Sequence, residues 1–564
     1  MERPTIDDAR AVLQRYFGYA DFRVAQLPAI ESVLSGRDSV IVLPTGGGKS
    51  ICFQVPALCL RRMTVVVSPL ISLMADQVQA LEQKGIGATY LNSTLTPDET
   101  SARVERIRRG DVRLLYVAPE RLAVGSTSKL LAETGVDLLA IDEAHCVSEW
   151  GQDFRPSYLK LPELRRSIGD PQTVALTATA TPGVRRDVAR LLELRTPDEI
   201  VGGFDRPNLT FRIQVVENDA ERNAAMVGRL RNATDPCVVY AATRRQVEQV
   251  ARILSSGRVN AVPYHAGLPP ERRARAQDAF MQGTAQVIVA TNAFGMGIDK
   301  PNVRLVLHYI HSGSLEDYYQ EAGRAGRDGN HSHCLLLFSE RDRSVHDRMR
   351  ERGQVSGDVL RRVWLYLAAM SSGRRAVPLD EAMLASRLEG LTPELVSRAL
   401  GVLEVRGLFP MISRPDQVRV RLLASPLRIE CERESLSNAA CALLLRVAEQ
   451  VGESQDWINW PVRGHGQSAH RFTAAVHELE SRQLLCVDSP PCQVVVPRDS
   501  LARQHLERTI LHLRTRRAAE RRKLDAMVGY ATELMCRRKY LLQYFGDSLA
   551  ESMRCGECDV CSPT

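Results

Sequence analysis

Four groups of residues in this chain have the types and spacing to do chemistry. Pro44-Thr45-Gly46-Gly47-Gly48-Lys49-Ser50 follows the apolar run Ser39 to Leu43. A strand, a glycine turn and a helix opening at Lys49 set backbone N–H groups around a phosphate chain, where the helix dipole favours the anion. Lys49 then reaches the β- and γ-phosphates and Ser50 a magnesium ion. The strict pattern has glycine at position 43, where this chain has Leu43, so a tight turn after a buried strand competes on this segment alone.

The second group, Asp142-Glu143-Ala144-His145, closes the apolar run Leu138 to Ile141. An acid at a strand end suits Mg²⁺, and Glu143 beside it can orient or deprotonate an attacking water. His145 can report nucleotide state to neighbouring loops. An acidic pair can also simply open a helix; joined to Lys49 and Ser50 it describes hydrolysis. The third group is Gln320-Glu321-Ala322-Gly323-Arg324-Ala325-Gly326-Arg327-Asp328-Gly329. Arg324 and Arg327 stand one helical turn apart and can reach the phosphates from another domain, which makes hydrolysis depend on closure of a cleft. Such a set describes a nucleotide-driven motor.

The fourth group is Cys536, Cys555, Cys558 and Cys561, two overlapping Cys-x-x-Cys steps and a more distant thiol. This spacing suits a closed tetrahedral Zn²⁺ site, with redox-active thiols as the alternative. Of the 13 cysteines, Cys52, Cys59, Cys237, Cys334 and Cys441 sit singly in apolar runs, as reduced core residues do.

The elements that must position these groups follow from periodicity. Ser39 to Leu43, Thr64 to Ser68, Leu114 to Ala118, Leu138 to Ile141 and Thr173 to Leu176 alternate with helical stretches, the pattern of a parallel sheet covered on both faces. Phe204-Asp205-Arg206-Pro207-Asn208 reads as a connection, after which Cys237 to Tyr240, Ala261 to Tyr264, Val287 to Ala290, Leu305 to Tyr309 and Cys334 to Phe338 repeat the pattern. The expected fold class is α/β, with two tandem domains over 1–203 and 204–345 and a cleft between them.

Beyond 345, helices over Val359 to Met370, Leu379 to Leu388 and Thr392 to Arg406, with Thr392 as N-cap, precede an expected hairpin over Leu408 to Leu423. That is a winged-helix-like module, 356–427. A second, 436–498, is expected from helices Asn438 to Val451 and Ala469 to Ser481 and strands Leu484 to Val487 and Gln493 to Val496 around Pro490-Pro491. Either module can pack, dock a partner or touch DNA. Residues 501–564 read as a helical hairpin, strongly basic around Arg514-Thr515-Arg516-Arg517, ending in the four-cysteine module. A basic run is commonly a solvated face, and here phosphate contact is the alternative.

With 564 residues, 44% hydrophobic and 25% charged, several folded domains are expected. The net charge of +7 fits a polyanionic partner without requiring one. The sequence has no membrane-length apolar run and no apolar signal core after Met1, so a cytoplasmic or nucleoid-associated location is expected.

The motifs above, together with further segments, resemble the superfamily 2 helicases and the RecQ family of DNA helicases in particular. These segments are Phe17-Gly18-Tyr19, Phe22-Arg23 and Gln26, Ser68-Pro69-Leu70-Ile71-Ser72-Leu73-Met74, Ala118-Pro119-Glu120-Arg121-Leu122 and Leu176-Thr177-Ala178-Thr179-Ala180. Tyr264-His265-Ala266-Gly267 and Phe294-Gly295-Met296-Gly297-Ile298-Asp299-Lys300 complete them; the resemblance spans roughly residues 5–345 and 519–562. It implies RecA-like motor domains with ATP and Mg²⁺ as cofactors and Zn²⁺ on the four cysteines. Tyr19 and Arg23 would sandwich adenine and Gln26 would read its edge. Thr45, Gly46, Gly47, Gly48, Lys49 and Ser50 would hold the phosphates, with Lys49, Asp142, Glu143, Gln320, Arg324 and Arg327 catalytic.

In Cys146 to Pro156, Trp150 and Phe154 can stack on bases while Arg155 meets a phosphate; a loop Trp as a domain anchor is the alternative. The resemblance makes this an aromatic loop coupling DNA binding to hydrolysis, with His145, Trp150, Phe154 and Arg155 as its DNA-facing set. Gln152 stands where the family commonly has histidine. About 170 residues separate the second motor domain from the cysteine module, which in the family usually follows directly. The expected function is an ATP-dependent DNA helicase in repair or recombination, with the 3′–5′ polarity that the resemblance implies. Single strands and tailed duplexes are its expected partners, along with single-stranded-DNA-binding or repair proteins. A translocase or remodeller that leaves strands paired, and a nucleotide-gated DNA-binding scaffold, are the alternatives.

Overall fold

The computed structural model describes residues 3–563 apart from 93, 123–124, 152, 296–299, 354, 372–376, 380, 410, 414–416, 434–435, 452–456, 462–474, 477, 489–491, 497–499 and 552. Gln152, the segment 296–299, the start of the expected helix Ala469 to Ser481 and the Pro490-Pro491 turn therefore lie outside or partly outside the described residues. Two compact units form: Met1–Arg352 together with Ala518–Thr564, and Gly353–Arg517.

In the first unit, β1 (Ser39–Val42), β2 (Met63–Val67), β3 (Ala88–Leu91), β4 (Leu114–Val117), β5 (Val136–Ile141), β6 (Gln172–Thr177) and β7 (Asp198–Val201) make one sheet. Its order is β3-β4-β2-β5-β6-β1-β7, parallel throughout. β1, β2 and β4 are buried at every position, which is why they read as unbroken apolar runs. The second sheet, also parallel, runs β10-β11-β9-β12-β13-β8. Its strands are β8 (Leu209–Val215), β9 (Cys237–Tyr240), β10 (Ala261–Tyr264), β11 (Val287–Ala290), β12 (Leu305–His308) and β13 (Ser332–Phe338). Every strand expected above is present; β3, β7 and β8 were not expected. β7 alternates between half-buried and exposed positions and is four residues long, too weak a pattern to stand out.

The cysteine segment packs onto this unit rather than apart from it. Phe545 stacks on Phe204 with centroids 4.6 Å apart, and Asp547 accepts the Phe204 N–H at 2.8 Å. Asp559 accepts the Ile213 N–H of β8 at 3.1 Å. β8 is an edge strand, and a carboxylate on one of its N–H groups blunts that edge. Gly353–Arg517 is thus an insertion into a continuous unit, as the separation of about 170 residues between the second sheet and the cysteine module suggests.

In the second unit, helices Gly357–Met370, Glu381–Arg387 and Pro393–Val405 appear where expected, and Thr392 Oγ1 accepts the Leu395 N–H at 3.3 Å. The strands differ. β14 (Val377–Leu379), β15 (Met411–Ser413) and β19 (Cys492–Val495) form one antiparallel sheet; β16 (Gln417–Leu422), β17 (Ile458–Pro461) and β18 (Leu485–Asp488) form another. β15 pairs with β19 and β16 with β17 and β18, so among the described residues the strands of the expected hairpin over Leu408 to Leu423 do not pair with each other. The segment from β16 to β18 is nested between the two paired strands β15 and β19. Burial decides the exchange: Val418 and Val420 of β16 join the core of helix Asn438–Val451, which belongs to the nested segment. Among the described residues no helix is long and apolar enough to cross a membrane.

Candidate functional site

The order β5-β6-β1 brings the C-terminal ends of three parallel strands together, which is where open α/β sheets bind ligands. The loop after β1 needs its glycines: Gly46 and Gly48 take left-handed φ of +80° and +78°, and a Cβ on Gly47 would lie 2.8 Å from Pro44 O. Leu43 is fully buried, and a Cβ on Gly202 would fall 2.3 Å from its Cδ2. Where the strict pattern has glycine, this chain therefore has a core leucine whose space is yielded by Gly202, and the phosphate cradle is untouched. Gln26 Nε2 donates to Gly47 O (3.1 Å) and Gly48 O (3.2 Å), and Arg23 Nη1 to Gly46 O (2.5 Å), so both are seated on the loop. Tyr19 is 59% exposed.

Asp142 follows β5. Burial, then the neighbouring Glu143, pushes its carboxyl up to about 7 against the pull of Lys49. A buried carboxylate facing a lysine is a site short of positive charge, which a divalent ion on Asp142 and Ser50 would supply. Glu143 adopts a left-handed φ of +48°, and His145 Nδ1 lies 2.8 Å from Thr177 Oγ1 at the end of β6. Burial lowers His145 to about 4, so it is neutral at pH 7. Unfolded imidazole titrates near 6.5; the stability this neutral residue confers is complete above that pH and is lost progressively as pH falls toward 4. His145→Gln is expected to flatten the melting-temperature slope across that window; an unaltered slope would contradict the assignment.

Helix Leu315–Ala322 begins with Ser314 Oγ accepting the Asp317 N–H at 3.1 Å, carries Gln320 (9% exposed), and runs into the arginine segment. Arg327 Cγ lies 3.7 Å from the position of a Cβ on Gly46, and Thr45 Oγ1 3.5 Å from that of a Cβ on Gly323. Arg327 and Gly323 of the second sheet's domain thus meet the first domain's phosphate loop. Arg324 is 5% exposed, and its Nε and Nη1 have no hydrogen bond among the described residues. Buried N–H groups of a cation call for an anion, so Arg324 fits a polyphosphate partner.

Sequence reasoning missed Arg206. Its Nη1 donates to Thr45 O (3.0 Å) and Gly323 O (3.3 Å), and its Nη2 to Ala325 O (3.1 Å) and Gly326 O (3.2 Å). One guanidinium holds the phosphate loop to the arginine segment. The polar connection 204–208 was the only signal for it.

Trp150 is half-buried against the core, Phe154 is half-buried, and Arg155 folds onto Asp153 (3.0 Å) and Pro69 O (2.9 Å). Lys523, also missed, donates to Trp150 O at 2.7 Å and pairs with Glu316 at 3.0 Å. Glu316 is 4% exposed and belongs to the helix that carries Gln320. A cavity of about 490 Å³ opens here, with Trp150, Arg186, Arg190, Glu316, Lys523 and Tyr544 in its wall.

The Sγ atoms of Cys536, Cys555, Cys558 and Cys561 lie within 4.8 Å of one another. Backbone N–H groups of Cys555, Cys558 and Cys561 donate to Sγ of Cys536, Cys555 and Cys558 at 3.4, 3.4 and 3.3 Å. Unbridged thiols this close, with N–H groups supporting negative sulfur, fit a closed structural Zn²⁺ site.

Three family models match: DEAD/DEAH box helicase over 23–187, helicase conserved C-terminal domain over 221–329 and RecQ zinc-binding over 500–562. The chain is 45% identical to the ATP-dependent DNA helicase RecQ of Bacillus subtilis, over 61% of this chain and 58% of that protein. It is 40% identical to the probable ATP-dependent DNA helicase RecS of the same organism, over 61% of this chain and 70% of the relative. The chain belongs to the RecQ family. It spans 54% of the RecQ of Haemophilus influenzae, at 42% identity, so little more than half of the RecQ relatives' length is matched. Among solved structures, the helicase MrfA bound to DNA aligns at a TM-score of 0.50 with 19% identity, over 61% of this chain and 50% of that one, a likeness of fold. The RecQ zinc-binding match over 500–562 contains all four cysteines, and their clustered Sγ atoms fit Zn²⁺.

Proposed function

We propose that the chain is an ATP-dependent DNA helicase moving 3′ to 5′ in DNA repair or recombination, the polarity resting on family membership alone. The observation that carries the reading is Arg327 of the second sheet lying against Gly46 of the first. A nucleotide there would be touched from both sheets, so its hydrolysis and their relative motion are linked. Thr45 to Ser50 would hold the phosphates of ATP, Asp142 and Ser50 would hold Mg²⁺, and Glu143 and Gln320 would orient the attacking water. Arg324 and Arg327 stabilise the transferred phosphoryl charge, and Tyr19, Arg23 and Gln26 take the adenine.

DNA is placed at Trp150, Phe154 and Arg155, with His145 relaying to the nucleotide and Arg186 and Arg190 adding positive charge. Segments 1–203 and 204–345 are the motor halves and 501–564 the zinc module; 356–427 and 436–498, interlocked through their strands, are auxiliary winged-helix-like modules. Single-stranded-DNA-binding or repair proteins as partners, and nucleoid association, belong to the same reading. Strand displacement on forked and tailed duplexes of both polarities, with and without ATP, tests it. Separation only of 3′-tailed substrates with ATP is expected; ATP turnover without separation would instead support a translocase.

Lys523 ties the aromatic loop to Glu316 and so to the helix of Gln320. Lys523→Met is expected to cut the ratio of DNA-stimulated to unstimulated ATP turnover by about fivefold to tenfold. An unchanged ratio would remove it from the coupling path.

A further inference from the structure

The nested sheet of the insertion presents an aromatic residue in a cationic frame. Its strand β16 alternates: Val418 and Val420 face the core, while Arg419 and Arg421 are exposed. The register pairs Arg419 with Asn459 and Val420 with Ile458, so Trp457 stands opposite Arg421 at the end of the ladder. The guanidinium carbons of Arg421 and Arg419 lie 5.2 and 5.6 Å from the centroid of the Trp457 ring, which is 37% exposed. Arg419 also pairs with Asp488 across the sheet. Arg421 has no carboxylate partner among the described residues.

A cross-strand cluster needs none of this in the open. An indole left accessible, two guanidiniums bearing on it and, among the described residues, a single carboxylate paired with them make a surface that is apolar at its centre and positive around it. That combination is complementary to an unpaired base with its flanking phosphates. We propose that the Trp457 face of this sheet is a second single-stranded DNA contact, separate from the aromatic loop, with a base on Trp457 and phosphates on Arg421 and Arg419. The inference rests on the reading of the chain as a DNA motor, but not on strand separation.

The test uses the full chain without nucleotide and a labelled oligothymidylate. Trp457→Ala is expected to weaken binding by about tenfold, and Trp457→Phe to restore most of it, which a folding defect would not allow. Arg421→Gln is expected to lower the slope of log affinity against log salt by about 0.7, the share of one phosphate on a single strand. Ultraviolet cross-linking should leave a nucleotide adduct on the peptide that contains Trp457. Unchanged affinity and slope, with no adduct there, would overturn the proposal and leave the face to a protein partner. The motor reading fails separately: it falls if the oligonucleotide does not stimulate ATP hydrolysis by the unaltered chain, whereas loss of the Trp457 contact alone leaves that stimulation detectable.

Discussion

Lys49→Ala is expected to abolish DNA-stimulated ATP hydrolysis, with turnover falling by at least about 100-fold, while the protein remains folded. The lysine is positioned by a loop whose geometry is set by its glycines, since Gly46 and Gly48 are left-handed and Gly47 has no room for a side chain. It also supplies the positive charge that draws down the buried Asp142 carboxyl. Removing it leaves the loop's shape and deletes the charge that meets the phosphates, so binding of single strands should persist. A phosphate-release assay beside a thermal melt decides the matter: unchanged turnover in a folded variant would sink the nucleotide assignment, and lost folding would be visible in the melt.

Cys558→Ser should have the largest effect on stability. Cys558 is completely buried, and loss of a metal is among the few single changes expected to exceed about 4 kcal/mol. The damage should spread beyond the cysteines, because the module holds the connection between the sheets. Arg538 Nη2 donates to Pro207 O (3.1 Å) and Leu209 O (3.0 Å), Phe545 stacks on Phe204, and Asp559 holds β8. Elemental analysis should find the zinc content falling from about one per chain toward zero. Hydrogen exchange should rise across Leu209–Val215. Full metal content, or protection of that strand unchanged after metal loss, would refute the linkage.

The two sites differ in how legible they were. The phosphate loop, Asp142-Glu143 and the cysteine quartet are short-range patterns, in which covalent spacing alone brings the groups near one another; the cysteine spacing already suits a tetrahedral site. The alternation of buried strands with helices was equally plain, because a parallel strand buried on both faces leaves an unbroken apolar run. Arg206 and Lys523 were not legible: each acts through backbone carbonyls more than a hundred residues away, and no local pattern marks an arginine or lysine that will find them. The expected hairpin over Leu408 to Leu423 failed for a related reason. Short apolar strands are chemically interchangeable, and which of them pair depends on which helix buries their inner face.

The sequence by itself determined the chemistry this chain can hold: a phosphate cradle, an acidic pair, a remote arginine pair and four thiols, on two α/β domains. Tertiary structure alone decided that Arg327 reaches Gly46, that Leu43 is tolerated because Gly202 makes room, and that the cysteine module rejoins the two parallel-sheet domains across an insertion. Local propensity and spacing act over a few residues, whereas these arrangements follow from the burial of complementary faces far apart in the chain, which spacing does not encode.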